Sequence, residues 1–359
     1  MFLIRVLLLP VSFLYGGVVF IRNKLFDFGV LSSKSFDMPV ISVGNITVGG
    51  TGKSPHVEYL IRLLKQDKSV ATLSRGYKRS SKGFLLTTDN HSHRDVGDEP
   101  LQFYKKYPEV KVAVDEKRVN GVATLMQDIP KLEVVLLDDA YQHRWIIPGL
   151  NILLIRYSDI GDRQFMMPSG YLREWRRGRN RADVIIVTKS PEVFSPIEAR
   201  RITDLLGPKP YQKVFFSYIK YLKAKAFTPV AADILNKEEC FSIGDFKVLL
   251  VSGIQNSSSL RVYLEQHTKD VKVSDFGDHH NYSIADLLRI INEYQEIIGT
   301  KKIIITTEKD SMRLLDERLF PIIQDYPVFY VPIEIVIHHQ ENGFDTLVND
   351  YVRRNKRIS

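Results

Sequence analysis

The chain has 359 residues and a mass of 41.3 kDa, with 44% hydrophobic and 26% charged residues, which excludes a disordered or low-complexity polypeptide and leaves room for two ordinary domains. Its single cysteine, Cys240, excludes an intramolecular disulfide and fits a thiol-reducing compartment. The net charge of +8 and pI near 9.2 ask for an anionic partner, and nucleic acid, an acidic membrane surface and a phosphorylated substrate all satisfy that.

The first predicted element is the uncharged stretch VLLLPVSFLYGGVVFI, residues 6–21, flanked by Arg5, Arg22 and Lys24. Its 16 residues fall short of the roughly 20 that a perpendicular span requires. No small-residue cleavage site follows, so the segment is expected to stay on the protein. It reads as an interfacial helix with basic flanks toward lipid phosphates.

Residues 44–55, GNITVGGTGKSP, come next. They lie between a short apolar strand at 39–43 and a helix carrying Val57, Leu60, Ile61 and Leu64 at helical spacing. That is a P-loop, with Thr47 where the pattern G-x-x-x-x-G-K-[ST] has its first glycine. Thr47, Val48, Gly49, Gly50, Thr51, Gly52, Lys53 and Ser54 are the expected nucleotide contacts. Backbone N–H groups and the helix N-terminus face anionic oxygens, Lys53 reaches the outer phosphates, and Ser54 ligates Mg²⁺.

Short β-rich runs then alternate with helical segments, the signature of an open, mostly parallel sheet. Strands are expected at 69–74, 111–114, 133–137, 151–155 and 183–188, with functional residues at their carboxyl ends. The strand at 69–74 runs into SRGY, whose Ser74, Arg75 and Tyr77 can line either the nucleotide or the acceptor. VGDEP offers Asp98 and Glu99 as general-base candidates. VVLLDDAYQH, residues 134–143, places Asp138 and Asp139 where a P-loop protein holds its metal. The two carboxylates point to opposite sides if the extended backbone persists.

PSGYLREWRRGRNRAD, residues 168–183, clusters Arg173, Arg176, Arg177, Arg179 and Arg181, guanidinium forks suited to phosphate or to lipid headgroups. GPKP at 207–210 reads as a linker and residues 213–230 as extended antiparallel material. A second α/β unit follows, with strands at 247–251, 302–306 and 328–331 and helices at 258–266 and 284–298. FGDHHNY supplies His279 and His280 between a strand and a helix. Residues 352–359 read as a frayed basic tail.

Together, GNITVGGTGKSP, SRGY, VGDEP, VAVDEKR, LLDDAYQHR, PSGYLRE, SGI, DFGDHHNY and TTEKD, in this order, resemble the tetraacyldisaccharide 4'-kinase family of lipid A biosynthesis over nearly the whole chain. The family shares the non-glycine residue at the start of its P-loop. The resemblance implies transfer of the ATP γ-phosphoryl group to the 4'-hydroxyl of an acylated glucosamine disaccharide 1-phosphate, at the cytoplasmic face of the bacterial inner membrane, by a peripheral or monotopic protein facing anionic headgroups. It implies a base-and-imidazole dyad of Asp98 and His279, metal-side acids at Asp138, Asp139 and Glu174, and Arg75 and Arg173 toward phosphates. Gln142, within LLDDAYQHR, joins Ser74, Arg75, Tyr77 and Arg173 as an expected substrate contact.

Ala140-Tyr141 and Trp175 stand where Gly-Phe and Pro are usual. The alternative is a membrane-associated P-loop ATPase or GTPase acting as a switch or chaperone, although TKSP at 188–191 lacks the Asp of a guanine reader. A nucleic-acid partner is not expected, because aromatics are not interleaved with the basic run. The expected organisation is an interfacial helix at 1–28, a P-loop kinase domain at 29–208 and a second, smaller α/β domain at 209–359.

Overall fold

The computed structural model describes all residues except 1, 163, 238–240, 255–256, 279, 339–342 and 356–359. It divides into two compact units that are interleaved in sequence, where the expected 29–208 and 209–359 were consecutive. The first comprises Met1–Asn90, Phe103–Ile219 and Ile335–Ser359, and the second His91–Gln102 and Lys220–Glu334.

The first unit is built on a nine-stranded sheet. In chain order the strands are β1 (Val40–Asn45), β2 (Val70–Ser74), β3 (Leu85–Leu86), β4 (Lys111–Val114), β5 (Val134–Asp138), β6 (Leu150–Arg156), β7 (Val184–Thr188), β8 (Lys213–Tyr221) and, after the insertion of the second unit, β14 (Ile333–Ile337). Their spatial order is β14-β8-β7-β6-β1-β5-β2-β4-β3. β1 runs parallel to both β5 and β6, and both edge strands are antiparallel: β3 to β4, and β14 to β8, where Leu222 N donates to the Pro332 carbonyl and His338 N to the Phe216 carbonyl.

Covered on both faces, β1, β2, β5 and β7 are buried throughout, which is why they read as continuous apolar runs. The strand period of 2 sorts their side chains. Ile41, Val43, Val134, Leu136, Ile152, Leu154, Val184 and Ile186 pack with Val57, Leu60 and Ile61 of the P-loop helix Lys53–Leu64. Val40, Val135 and Leu137 face the other side with Ala71, Leu73 and Leu125.

Several expectations are redrawn here. The extended run after GPKP is antiparallel on one side only: the helix Pro196–Leu206 carries the chain over to β8, which pairs parallel to β7 and antiparallel to β14 in the first sheet. The expected frayed tail starts too early, because the helix Phe344–Arg354 buries Phe344, Val348 and Val352 in the β1 core.

At the amino terminus Pro10 lies in the first turn of a helix, Leu9–Asp27, instead of breaking it. No helix among the described residues is long and apolar enough to cross a membrane. That helix exposes Val11, Phe13, Leu14, Val18 and Ile21 and turns Ser12, Gly16 and Phe26 inward. Of its basic flanks, Arg22 is partly buried while Arg5 and Lys24 stay exposed, each with a partner on the protein. Arg22 donates to the Gln142 carbonyl (2.8 Å) and lies over the Trp145 ring, Lys24 pairs with Asp27, and Arg5 donates to the Tyr171 hydroxyl.

The second unit is a five-stranded sheet of β9 (Lys225–Ala226), β10 (Lys247–Ser252), β11 (Asp270–Asp275), β12 (Lys302–Thr307) and β13 (Val328–Val331), in the order β11-β10-β12-β13-β9. Four strands are parallel, and β9 pairs antiparallel with β13. The helix Ile284–Gln295 closes one face through Leu287 and Ile290, and Ser258–His267 the other through Leu260 and Leu264.

Candidate active site

In the first unit the P-loop follows β1 directly. Gly49 and Gly52 have φ of +115° and +86°, left-handed values that a side chain would disfavour. The loop is tied from three sides. Asn45 donates through Nδ2 to the Thr51 hydroxyl (2.8 Å). Val48 N donates to the Tyr171 carbonyl (2.7 Å) and Arg173 N to the Ile46 carbonyl (2.8 Å), so the PSGYLRE segment pairs along the loop's first half, with Thr47 opposite Leu172.

The third tie is His56, fully buried in the first turn of the helix. Its Nδ1–H donates to the Gly52 carbonyl (2.6 Å), which fixes Nε2 as the acceptor of the Ser217 hydroxyl (2.9 Å). Burial pushes the imidazole down to about 4, so it is neutral at physiological pH.

Asp138 and Asp139 end β5 beside this loop, with Val43 opposite Asp138. By the alternation along β5, Asp138 shares the face of Leu136 and the P-loop helix, and it is buried. The expectation that the two carboxylates point to opposite sides assumed extended backbone, which stops at Asp138. Asp139 takes a left-handed φ of +49° and turns its carboxylate to Lys53 (3.7 Å) and to Arg173, whose Nη1 donates to both oxygens (3.0 and 3.1 Å). Burial alone would raise its pKa, but Lys53, Arg173 and Arg118 outweigh burial and hold the carboxyl below the usual range.

Arg118, in VAVDEKR, is a buried cation that sequence reasoning left without a role. Burial lowers its pKa to about 10 against the pull of Asp139 and Asp138, so it remains charged. The signal was available: a basic residue just beyond a parallel strand's carboxyl end.

A phosphate cradle within this particular order of motifs has known counterparts. The family model described as LpxK: Tetraacyldisaccharide-1-P 4'-kinase matches residues 4–353. The chain belongs to this family. Among curated relatives, the tetraacyldisaccharide 4'-kinase of Bacteroides fragilis is 43% identical over 98% of this chain and 94% of its own length, and that of Flavobacterium johnsoniae is 44% identical over 98% of each. The crystal structure of "apo" form LpxK from Aquifex aeolicus in complex with ATP superposes with a TM-score of 0.72 at 30% identity, covering 98% of this chain and 99% of that one.

The remaining residues that the kinase family suggests fall in several environments. Ser74 is buried and accepts from Gly76 N, while Arg75 and Tyr77 are exposed at the end of β2. Gln142 spends its amide on the Asn45 carbonyl (2.6 Å) and the Glu174 carboxylate (2.9 Å), a link from β1 to the PSGYLRE segment in place of an open substrate contact.

Glu174, expected on the metal side, is instead engaged by donors. Arg181 reaches both its oxygens (2.8 and 2.9 Å), Gln142 reaches one, and Asn23 of the amino-terminal helix the other (3.3 Å). Asp98 belongs to the second unit, where its carboxylate pairs with Arg313. His279 lies outside the described residues; its neighbour His280 bonds Asp286 at 3.0 Å.

Among the described residues no cluster of three or more His, Cys, Asp or Glu forms a metal cage. Ser54 and Asp138 are hard oxygen donors, a set that suits Mg²⁺ sharing its shell with phosphates and water. Asp139 and Glu174 each carry an arginine ion pair, with Arg173 and Arg181.

Proposed function

We propose that this chain transfers the γ-phosphoryl group of ATP to the 4'-hydroxyl of tetraacyldisaccharide 1-phosphate, a step of lipid A biosynthesis. The observation that carries the reading is a complete P-loop, tied at Asn45, His56 and residues 171–173, inside a chain that matches the kinase family from end to end. The loop amides and Lys53 bind the triphosphate, with Arg173 and Arg118 adding positive charge as it spreads over the transferring oxygens.

The sugar 4'-oxygen attacks the γ-phosphorus, the bond to the β–γ bridging oxygen breaks, and ADP leaves. Asp98 takes the hydroxyl proton, with His279 as its partner. Mg²⁺ on Ser54 and Asp138 would supply charge neutralisation between the phosphates. Ser74, Arg75 and Tyr77 are placed toward the disaccharide phosphate.

The acyl chains of this substrate stay in a bilayer. We place the protein peripherally on the cytoplasmic face of the inner membrane, with Phe13, Leu14, Val18 and Ile21 in the lipid and anionic headgroups around it. The test is γ-labelled ATP and the acylated disaccharide 1-phosphate in mixed micelles. Label is expected on the 4'-oxygen, and label released only as inorganic phosphate overturns the reading in favour of a switch ATPase.

A further inference from the structure

Three of the motifs, GDEP, TTEKD and SGI, meet in the second unit. GDEP contributes Asp98 and Glu99, in the first turn of the helix Asp98–Lys106. TTEKD contributes Thr307, the N-cap of the helix Glu308–Leu314, together with Lys309 and Asp310 on it. SGI contributes Gly253, just after β10.

At their centre is Arg313, 2% exposed. Its Nε and Nη2 both donate to Asp98 Oδ2 (2.9 and 2.5 Å). Nη1 donates to Asp310 Oδ1 (2.7 Å) and to the Gly253 carbonyl (3.0 Å).

Asp310, fully buried, is itself held: its Oδ2 accepts from Gly253 N (3.0 Å) and from the Thr307 hydroxyl (2.7 Å). A Cβ at residue 253 would lie 2.9 Å from Asp310 Oδ1 and 3.3 Å from Arg313 Nη1, so glycine is required there for the guanidinium to fit. One helical turn before Arg313, Lys309 pairs with Glu99 at 2.6 Å. Two adjacent acids thus meet two cations at i and i+4 spacing.

A buried arginine with one carboxylate on each side is a poor means of stability, since hydrophobic residues of equal volume do as well. It is an effective means of fixing a carboxylate's rotamer and charge state.

We infer that Arg313, locked by Asp310 and Gly253, is a positioning residue that fixes the Asp98 carboxylate in one rotamer and favours its ionised form. This rests on the reading of Asp98 as the general base.

The charged and titratable groups facing the pair are His93 and Arg94 from the segment before GDEP, Glu99, Lys309, Asp310, Asp316 and Tyr282. Burial lowers the His93 pKa and raises that of Tyr282. His93 therefore supplies no positive charge that replaces Arg313 above neutral pH, and Tyr282 stays a neutral phenol.

The experiment compares Asp98→Asn, Arg313→Gln, Arg313→Lys and the Asp98→Asn/Arg313→Gln double variant in the lipid kinase assay. Arg313→Gln is expected to lower kcat about 100-fold. It should leave the KM for ATP within about twofold and raise the acidic limb of kcat/KM by about 1 to 3 pH units, the shift an adjacent arginine imposes on an aspartate. Arg313→Lys should move the limb the same way by less. The double variant should be no slower than Asp98→Asn alone, as expected when both changes disable one group.

An unmoved limb in a folded Arg313→Gln protein, or losses that multiply in the double variant, overturns the inference. If Arg313→Gln does not fold, Arg313→Lys decides by the same limb. Parental turnover in Asp98→Asn would instead bring down the base assignment, and the inference with it.

Discussion

The nucleotide cradle and the Asp98 holder solve the task of presenting charge in opposite ways. The cradle is a contiguous loop in which backbone N–H groups do most of the presenting, with Asn45 and His56 steadying it from within a dozen residues of sequence. The holder is assembled from the side chains of Asp98, Asp310 and Arg313 on the backbone of Gly253, and its central pair is separated by 215 positions. Backbone presentation is rigid and cheap in charge, whereas a side-chain network in low dielectric gains strength and loses tolerance together.

The two regions should therefore fail differently. The largest effect is expected at Lys53, the one side chain that the cradle cannot replace with an amide. Lys53→Met should cost about 1,000-fold in turnover or more, and a loss below tenfold would mean that the amides alone suffice. Asp98→Asn should cost about 100- to 10,000-fold in kcat while the ATP dissociation constant, measured by titration calorimetry, stays near parental. Equal losses in both would move Asp98 into the nucleotide site and erase the contrast.

The smallest effect sharpens the comparison. His56→Gln should raise the KM for ATP by about tenfold through a loosened Gly52, without touching the pH limb assigned to Asp98. His56 also makes the cradle acid-labile. Its folded pKa, near 4, lies below the unfolded value of 6.5, so its contribution is present above pH 6.5 and is lost as pH falls toward 4. The full loss is about 3 kcal/mol. Urea unfolding from pH 7 to 4 should show a shallower decline in His56→Gln, and identical slopes would contradict the buried neutral imidazole.

The cradle was legible in the sequence because its geometry is local: glycines, Lys53 and Ser54 between an apolar strand and an amphipathic helix. The parallel sheet was legible for the same reason, each strand being a short apolar run ending in polar residues. What escaped reading depends on tertiary partners. The left-handed backbone at Asp139 could not be deduced from an Asp-Asp pair. Nor could Arg181 be assigned to Glu174, because that pairing depends on how residues 174–181 turn, and Arg177 and Arg179 look alike in one dimension. Gly253 and Arg313 carry no pattern that links them to GDEP until β10 and the helix Glu308–Leu314 are placed side by side.

The closing helix adds a constraint of timing. The Tyr351 hydroxyl donates to the Val40 carbonyl and accepts from Val40 N (3.2 and 3.1 Å), bonds that span 311 residues, and the Tyr59 hydroxyl donates to Asp345. The strand that feeds the phosphate loop therefore lacks its seal until residue 351 has been made, roughly 15 to 60 s after residue 40 at ordinary elongation rates. The inserted unit, whose last strand ends at Val331, has all its strands out before then. Birth order and chain order are thus inverted: the nested part can mature while its host is still waiting for the final turn of helix.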